Sequence, residues 1–92
     1  RVSIAVKVPT ILRTYTGGSA EVTVAGATLA DAIADLDAQF PGIGARVLDE
    51  DGKLRRFVNV YVNDDDVRFL EDLQTPTPDG TSVSIIPAVA GG

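Results

Sequence analysis

The chain has 92 residues, enough for one domain and not two. Hydrophobic residues make up 45% and charged residues 23%, a globular composition, with a net charge of -5. There is no Cys, His, Met or Trp. That excludes disulfides, thiolate nucleophiles, cysteine-held zinc and iron–sulfur clusters. It also removes the usual general base near neutral pH and the commonest metal ligand.

The acidic balance disfavours a nucleic-acid partner and favours a basic protein surface. No apolar run is long enough for a membrane span, and no signal peptide opens the chain. A cytoplasmic monomer is the expectation.

Val2, Ile4, Val6 and Val8 alternate with Ser3, Ala5 and Lys7, the pattern of a half-buried strand that Pro9 ends. A long, loose connection with a Gly17-Gly18 turn leads to a second strand over residues 21–25, closed by Gly26. Thr28 then has the position of a helix N-cap, with Asp31 three residues on. Leu29, Ala32, Ile33 and Leu36 form one apolar stripe, and Pro41-Gly42 require the helix to stop by Phe40. Residues 43–48 fit a short helical turn.

From Phe57 to Asn63 the alternation returns, with Val58, Val60 and Val62 opposite Phe57, Asn59 and Tyr61. A tight turn over 63–66 and a brief return over 67–70 follow. After a loop with Pro76, Pro78 and Asp79-Gly80 comes the last strand, 81–87, with Val83 and Ile85 inward and Ser84 and Ile86 opposite. The acidic groups Asp64-Asp65-Asp66 and Asp49-Glu50-Asp51 lack the spaced ligands of a calcium loop and read as solvated turns. Arg13, Arg55, Arg56 and Arg68 read as surface charges or docking contacts.

This order predicts an α+β fold of the β-grasp type: a mixed sheet of four to five strands with one main helix across one face. The expected organisation is a domain over 1–87 and a flexible tail over 88–92. Gly91 and Gly92 carry no side chains, so they can thread a narrow channel. Five Cα spacings beyond Pro87 give at most ~17–18 Å of reach, enough to bring a terminal carboxylate into another protein's pocket. Taken alone, the glycine pair equally describes a frayed end. On the strand face opposite the valines, Phe57, Tyr61 and Ile86 would form an apolar patch rimmed by Asn59 and Ser84, suited to a partner. The alternative is that loops cover them or that Phe57 joins the core.

Three stretches carry a family resemblance. They are Pro9-Thr10-Ile11-Leu12-Arg13 with Thr16-Gly17-Gly18, then residues 56–64 running to Val67-Arg68-Phe69, and finally Asp79-Gly80 with Pro87-Ala88-Val89-Ala90-Gly91-Gly92. With these the chain resembles the ThiS/MoaD group of ubiquitin-like sulfur carriers, and within it the CysO branch, the actinobacterial carriers for cysteine synthesis. Ala88 after Pro87, where molybdopterin-type carriers often have a second proline, leans the same way. The turn over 49–53 is shorter than that branch suggests.

The resemblance implies a protein cosubstrate rather than an enzyme. An E1-like adenylyltransferase and sulfurtransferase would activate the Gly92 carboxylate with ATP and convert it to a thiocarboxylate, with Gly91 giving slim access. A PLP-dependent cysteine synthase using O-phosphoserine would receive the sulfur, and a zinc-dependent peptidase would release cysteine. ATP, PLP and zinc would all belong to the partners, with no cofactor on this chain. Phe57, Tyr61, Ile86, Val89 and Ala90 are the expected partner contacts. Sulfur delivery to molybdopterin, as the small subunit of its synthase, or ubiquitin-like conjugation to lysines are the alternatives.

Overall fold

The computed structural model describes residues 3–56 and 58–87. Strands β1 (Ile4–Lys7) and β2 (Glu21–Val24) precede helix α1 (Leu29–Gln39) and the single turn α2 (Gly44–Val47). Strands β3 (Val58–Val62), β4 (Asp65–Asp66) and β5 (Ser82–Pro87) complete a sheet ordered β2-β1-β5-β3-β4. β1 and β5 run parallel, with Val6 opposite Val83, and all other pairs are antiparallel. The first and last strands therefore lie side by side, with β5 in the middle position.

Period-2 alternation fixes what the sheet buries. Ile4, Val6, Val24, Val58, Val60, Val62, Val83 and Ile85 face the helix and are all buried. Leu29, Ala32, Ile33 and Leu36 of α1 meet them, with Ile43 and Val47 filling in from the α2 side. Thr28 caps α1, its hydroxyl accepting from the Asp31 N–H at 3.4 Å. The helix stops at Gln39, as the following Pro41-Gly42 predicts.

Asp35 and Asp37, off the apolar stripe, tie the helix to its surroundings. Asp35 Oδ2 accepts from Ala25 N and Gln39 Nε2, both at 2.9 Å. Asp37 Oδ1 accepts from Gly42 N at 3.1 Å and Gly44 N at 2.9 Å, which fixes the start of α2. Gly44 presses so closely on Asp37 that a Cβ would lie 2.9 Å from its carboxylate oxygen.

Between β2 and α1 the chain seats against residues 75–77. Gly26 allows this approach to the helix, because a Cβ there would stand 2.5 Å from Ala32 N. The fully buried Thr77 donates its hydroxyl to Gly26 O at 2.9 Å and its N–H to Ala27 O at 2.9 Å. Among the described residues no buried side-chain polar atom lacks a partner.

Two local expectations change. The connection from β1 to β2 is not loose: a 3-10 turn at Thr10–Leu12 buries Leu12, and buried Thr16 donates to Ser19 O at 2.8 Å. The turn after β3 is only Asn63-Asp64, with φ of 50° and 79°. That is the backbone of a two-residue hairpin turn matching strand twist, so pairing resumes at once with Asp65 opposite Val62. Residues 67–70 do not return as a strand. Asp66 Oδ1 accepts from Arg68 N at 2.9 Å and starts a 3-10 turn, Val67–Phe69.

Candidate functional site

The expected site residues that the structure describes lie on β3 and the second half of β5. Pro87 stands opposite Val58, and Ile86 opposite Asn59. With Val83 and Ile85 turned into the core, parity places Ser84 and Ile86 on the face away from α1. Ile86 keeps 50% of its surface exposed, unusual for an isoleucine on a middle strand. Tyr61, half-buried, lies opposite both Ser84 and Asp66 in register. It is therefore a diagonal neighbour of Ile86, within reach of a long side chain. The structure brings Tyr61, Ile86, Asn59 and Ser84 onto one open face, the arrangement that strand parity predicts.

The other expected site residues, Phe57, Val89, Ala90, Gly91 and Gly92, lie outside the described residues, as does the whole of 88–92.

Arg68 crosses the start of β3 and is more than a surface charge. Its guanidinium donates to Asn59 Oδ1 at 2.6 Å, Val58 O at 2.8 Å and Arg55 O at 3.1 Å. It thereby locks the 3-10 turn after β4 onto the strand that flanks Pro87. Arg13 Nε donates to Val8 O at 3.2 Å, and Arg55 Nε to Ala45 O at 2.8 Å. Periodicity carries no signal for these long-range contacts.

The structure adds apolar side chains that alternation did not single out. Ile11 is 63% exposed on the 3-10 turn that follows β1, and Phe69 is 87% exposed beside Arg68. Both sit in segments without a regular period, so sequence pattern gave them no direction.

Among the described residues no group of three or more His, Cys, Asp or Glu is placed to hold a metal ion. No helix of the described residues is long and apolar enough to cross a membrane. Among the described residues one carboxyl, that of Asp49, is held below its ordinary range, chiefly by the Lys53 N–H and also by the Asp51 N–H. Its Oδ1 accepts those bonds at 3.0 and 2.9 Å and closes the 49–53 turn.

Comparison with known proteins agrees with this architecture. The chain is 53% identical to the sulfur carrier protein CysO of Mycobacterium tuberculosis over 92 residues, covering 98% of this chain and 99% of that one. The crystal structure of that organism's CysO superposes with a TM-score of 0.90 at 52% identity, over 94% of this chain and 99% of the other. A crystal structure of the BexX/CysO complex from Amycolatopsis orientalis matches with a TM-score of 0.91 at 50% identity, over 97% of this chain and 99% of that chain. These likenesses establish the ubiquitin-like β-grasp fold. The ThiS family model matches residues 6–92, and the chain belongs to that family.

Proposed function

We propose that this protein is a sulfur carrier whose reactive group is the carboxylate of Gly92. The observation that carries the reading is the placement of β5. Its last described residue, Pro87, ends a strand braced by β1 on one side and β3 on the other. The five residues beyond it span at most ~17–18 Å, enough reach for the terminal carboxylate to enter a partner's pocket. The similarity to CysO over nearly the full chain supports the same reading.

The chemistry needs little from this chain. An E1-like partner uses ATP to convert the Gly92 carboxylate to an acyl-adenylate, releasing pyrophosphate. Sulfide attacks the acyl carbon, and AMP leaves with the bonding electrons of the C–O bond. The product is a thiocarboxylate, with no change in the oxidation state of carbon. Gly91 keeps the approach narrow. The open face with Tyr61 and Ile86 seats on the partner, with Phe57, Val89 and Ala90 as further contacts. The A. orientalis relative is found in a complex with BexX, which supports a protein that works by docking.

For the sulfur acceptor we favour a PLP-dependent cysteine synthase using O-phosphoserine, followed by a zinc-dependent peptidase that frees cysteine. The test has two stages. Incubation with the adenylating enzyme, ATP and a sulfide source should give the mass change of one oxygen-to-sulfur exchange at Gly92, and deletion of Gly92 should abolish it. Lysine conjugates without thiocarboxylate would overturn the carrier reading. The thiocarboxylate form, mixed with candidate acceptor enzymes, should then yield cysteine. Sulfur appearing in molybdopterin instead would replace that acceptor.

A further inference from the structure

Four large hydrophobic side chains are exposed among the described residues: Ile11, Phe69, Leu70 and Ile86. The topology puts all four at the end of the sheet where β5 finishes. Ile86 is on β5 itself, one residue before Pro87. β1 runs parallel to β5, and Ile11 lies in the 3-10 turn that follows β1. β4 is antiparallel to β3, and β3 to β5, so β4 and β5 run the same way. Phe69 and Leu70 follow β4 and therefore come out at that same end.

Register gives the spacing. Asp66 and Ser84 both stand opposite Tyr61, and three steps carry the chain from Asp66 to Phe69, as from Ser84 to Pro87. Arg68 confirms the level, because its guanidinium donates to the carbonyl of Val58, the register partner of Pro87. β4 lies two strand spacings from β5, or about 10 Å. An interface of ordinary size covers ~800 Å² on each partner, a disc of about 16 Å radius. A protein that takes in residues 88–92 has to gather around Pro87. Such a disc centred there reaches Phe69 on one side and the turn of Ile11 on the other.

Phe69 is the most exposed of the four, at 87%. Its backbone is nevertheless fixed. Asp66 Oδ1 accepts from Arg68 N, Leu70 N donates to Val67 O at 2.9 Å, and the Arg68 guanidinium holds Asn59, Val58 and Arg55. Buried Val67 roots the turn in the core. Ordering such a side chain on a partner costs little, because only the ring's own rotamers remain to be fixed. Charge gives this end no single sign: Lys53 and Arg68 share a cavity with Glu71 and Asp72, and Arg55 and Arg56 share another with Asp49. Burial of apolar surface is the attraction that this end has to offer.

We infer that Phe69, with Leu70 beside it and Ile11 on the far side of β5, is an apolar anchor that enters a hydrophobic pocket at the mouth of the cleft receiving residues 88–92. This rests on the carrier reading proposed above and deepens it. The docking surface extends from the open face of Tyr61 and Ile86 past the β4 edge of the sheet. Aromatic side chains are enriched at protein interfaces, and a few well-seated anchors carry most of the binding energy there. The occupant is the adenylating partner and not a second copy of this chain, because only a protein that receives the tail must sit over Pro87.

Calorimetric affinity for the adenylating enzyme, at low and high salt, tests this. Phe69→Ala should raise Kd about ten- to hundredfold at both, the loss expected for an aromatic ring that docking buries. Salt should not erase the difference, because apolar burial is not screened as an ion pair is. Phe69→Leu should recover most of the loss. The melting temperature of Phe69→Ala should match the parent's, since the ring stands almost wholly outside the fold. A Kd for Phe69→Ala within twofold of the parent, or a loss confined to low salt, would overturn the anchor. So would a parent that sediments alone as a dimer and becomes monomeric on Phe69→Ala, since the ring would then serve self-association. Thiocarboxylate formation at saturating partner separates this from the carrier reading. Parent and Phe69→Ala should both form it. A parent that binds yet never gains sulfur would defeat the carrier reading while leaving the affinity comparison valid.

Discussion

Ile86 offers the sharpest test of the open face. It is 50% exposed, and complete burial of an isoleucine side chain is worth about 1.5–3 kcal/mol. Docking that covers the exposed half would recover roughly 0.8–1.5 kcal/mol. Ile86→Ala keeps only the β-carbon, so about 1 kcal/mol of binding should disappear, close to a fivefold rise in Kd. The half already packed costs the fold a similar amount, which lowers Tm by roughly 4–8 °C in a domain of this size. Binding should therefore be measured well below the melt, by calorimetry against the adenylating enzyme. Thr23→Ala is the control, since Thr23 is exposed on β2, away from β5. A Kd for Ile86→Ala within twofold of the parent, or equal losses for Ile86→Ala and Thr23→Ala, would refute the assignment of this face.

Other consequences concern stability. Gly26→Ala should destabilise by about 2–3 kcal/mol in urea unfolding, because the new methyl meets backbone atoms that cannot rotate away. Thr77→Val should cost about 1–3 kcal/mol by taking the hydroxyl donor away from the partly buried Gly26 carbonyl. The two acts on one seam, so the double variant should fall short of their sum. Arg68→Ala should cost about 1–3 kcal/mol, and Arg68→Lys should recover less than half, since an ammonium cannot match the fork that spans Asn59, Val58 and Arg55. Asp49 has a native pKa below that of the unfolded chain, so its contribution is complete above ~3.9 and lost as pH falls through the lower native value. Its carboxyl NMR titration should show a midpoint below ~3.9, and Asp49→Asn should flatten the acid limb of the stability profile.

Sequence by itself determined the elements whose physics is local. Valine parity marks β1, β3 and β5, because successive side chains on a strand must face opposite ways. Thr28 and the Leu29–Ile33–Leu36 stripe bound α1, because caps and a 3.6-residue period act within a few turns. The placement of Tyr61 and Ile86 on one face follows from parity once β3 and β5 are neighbours.

Only the tertiary structure decided the rest. That Arg68 clamps Val58, that Gly26 must lack a side chain, and that Thr77 is buried beneath it all depend on contacts between distant parts of the chain. The short return after β3 falls at 65–66 and not at the expected 67–70, because two residues at positive φ let pairing resume sooner than alternation can register.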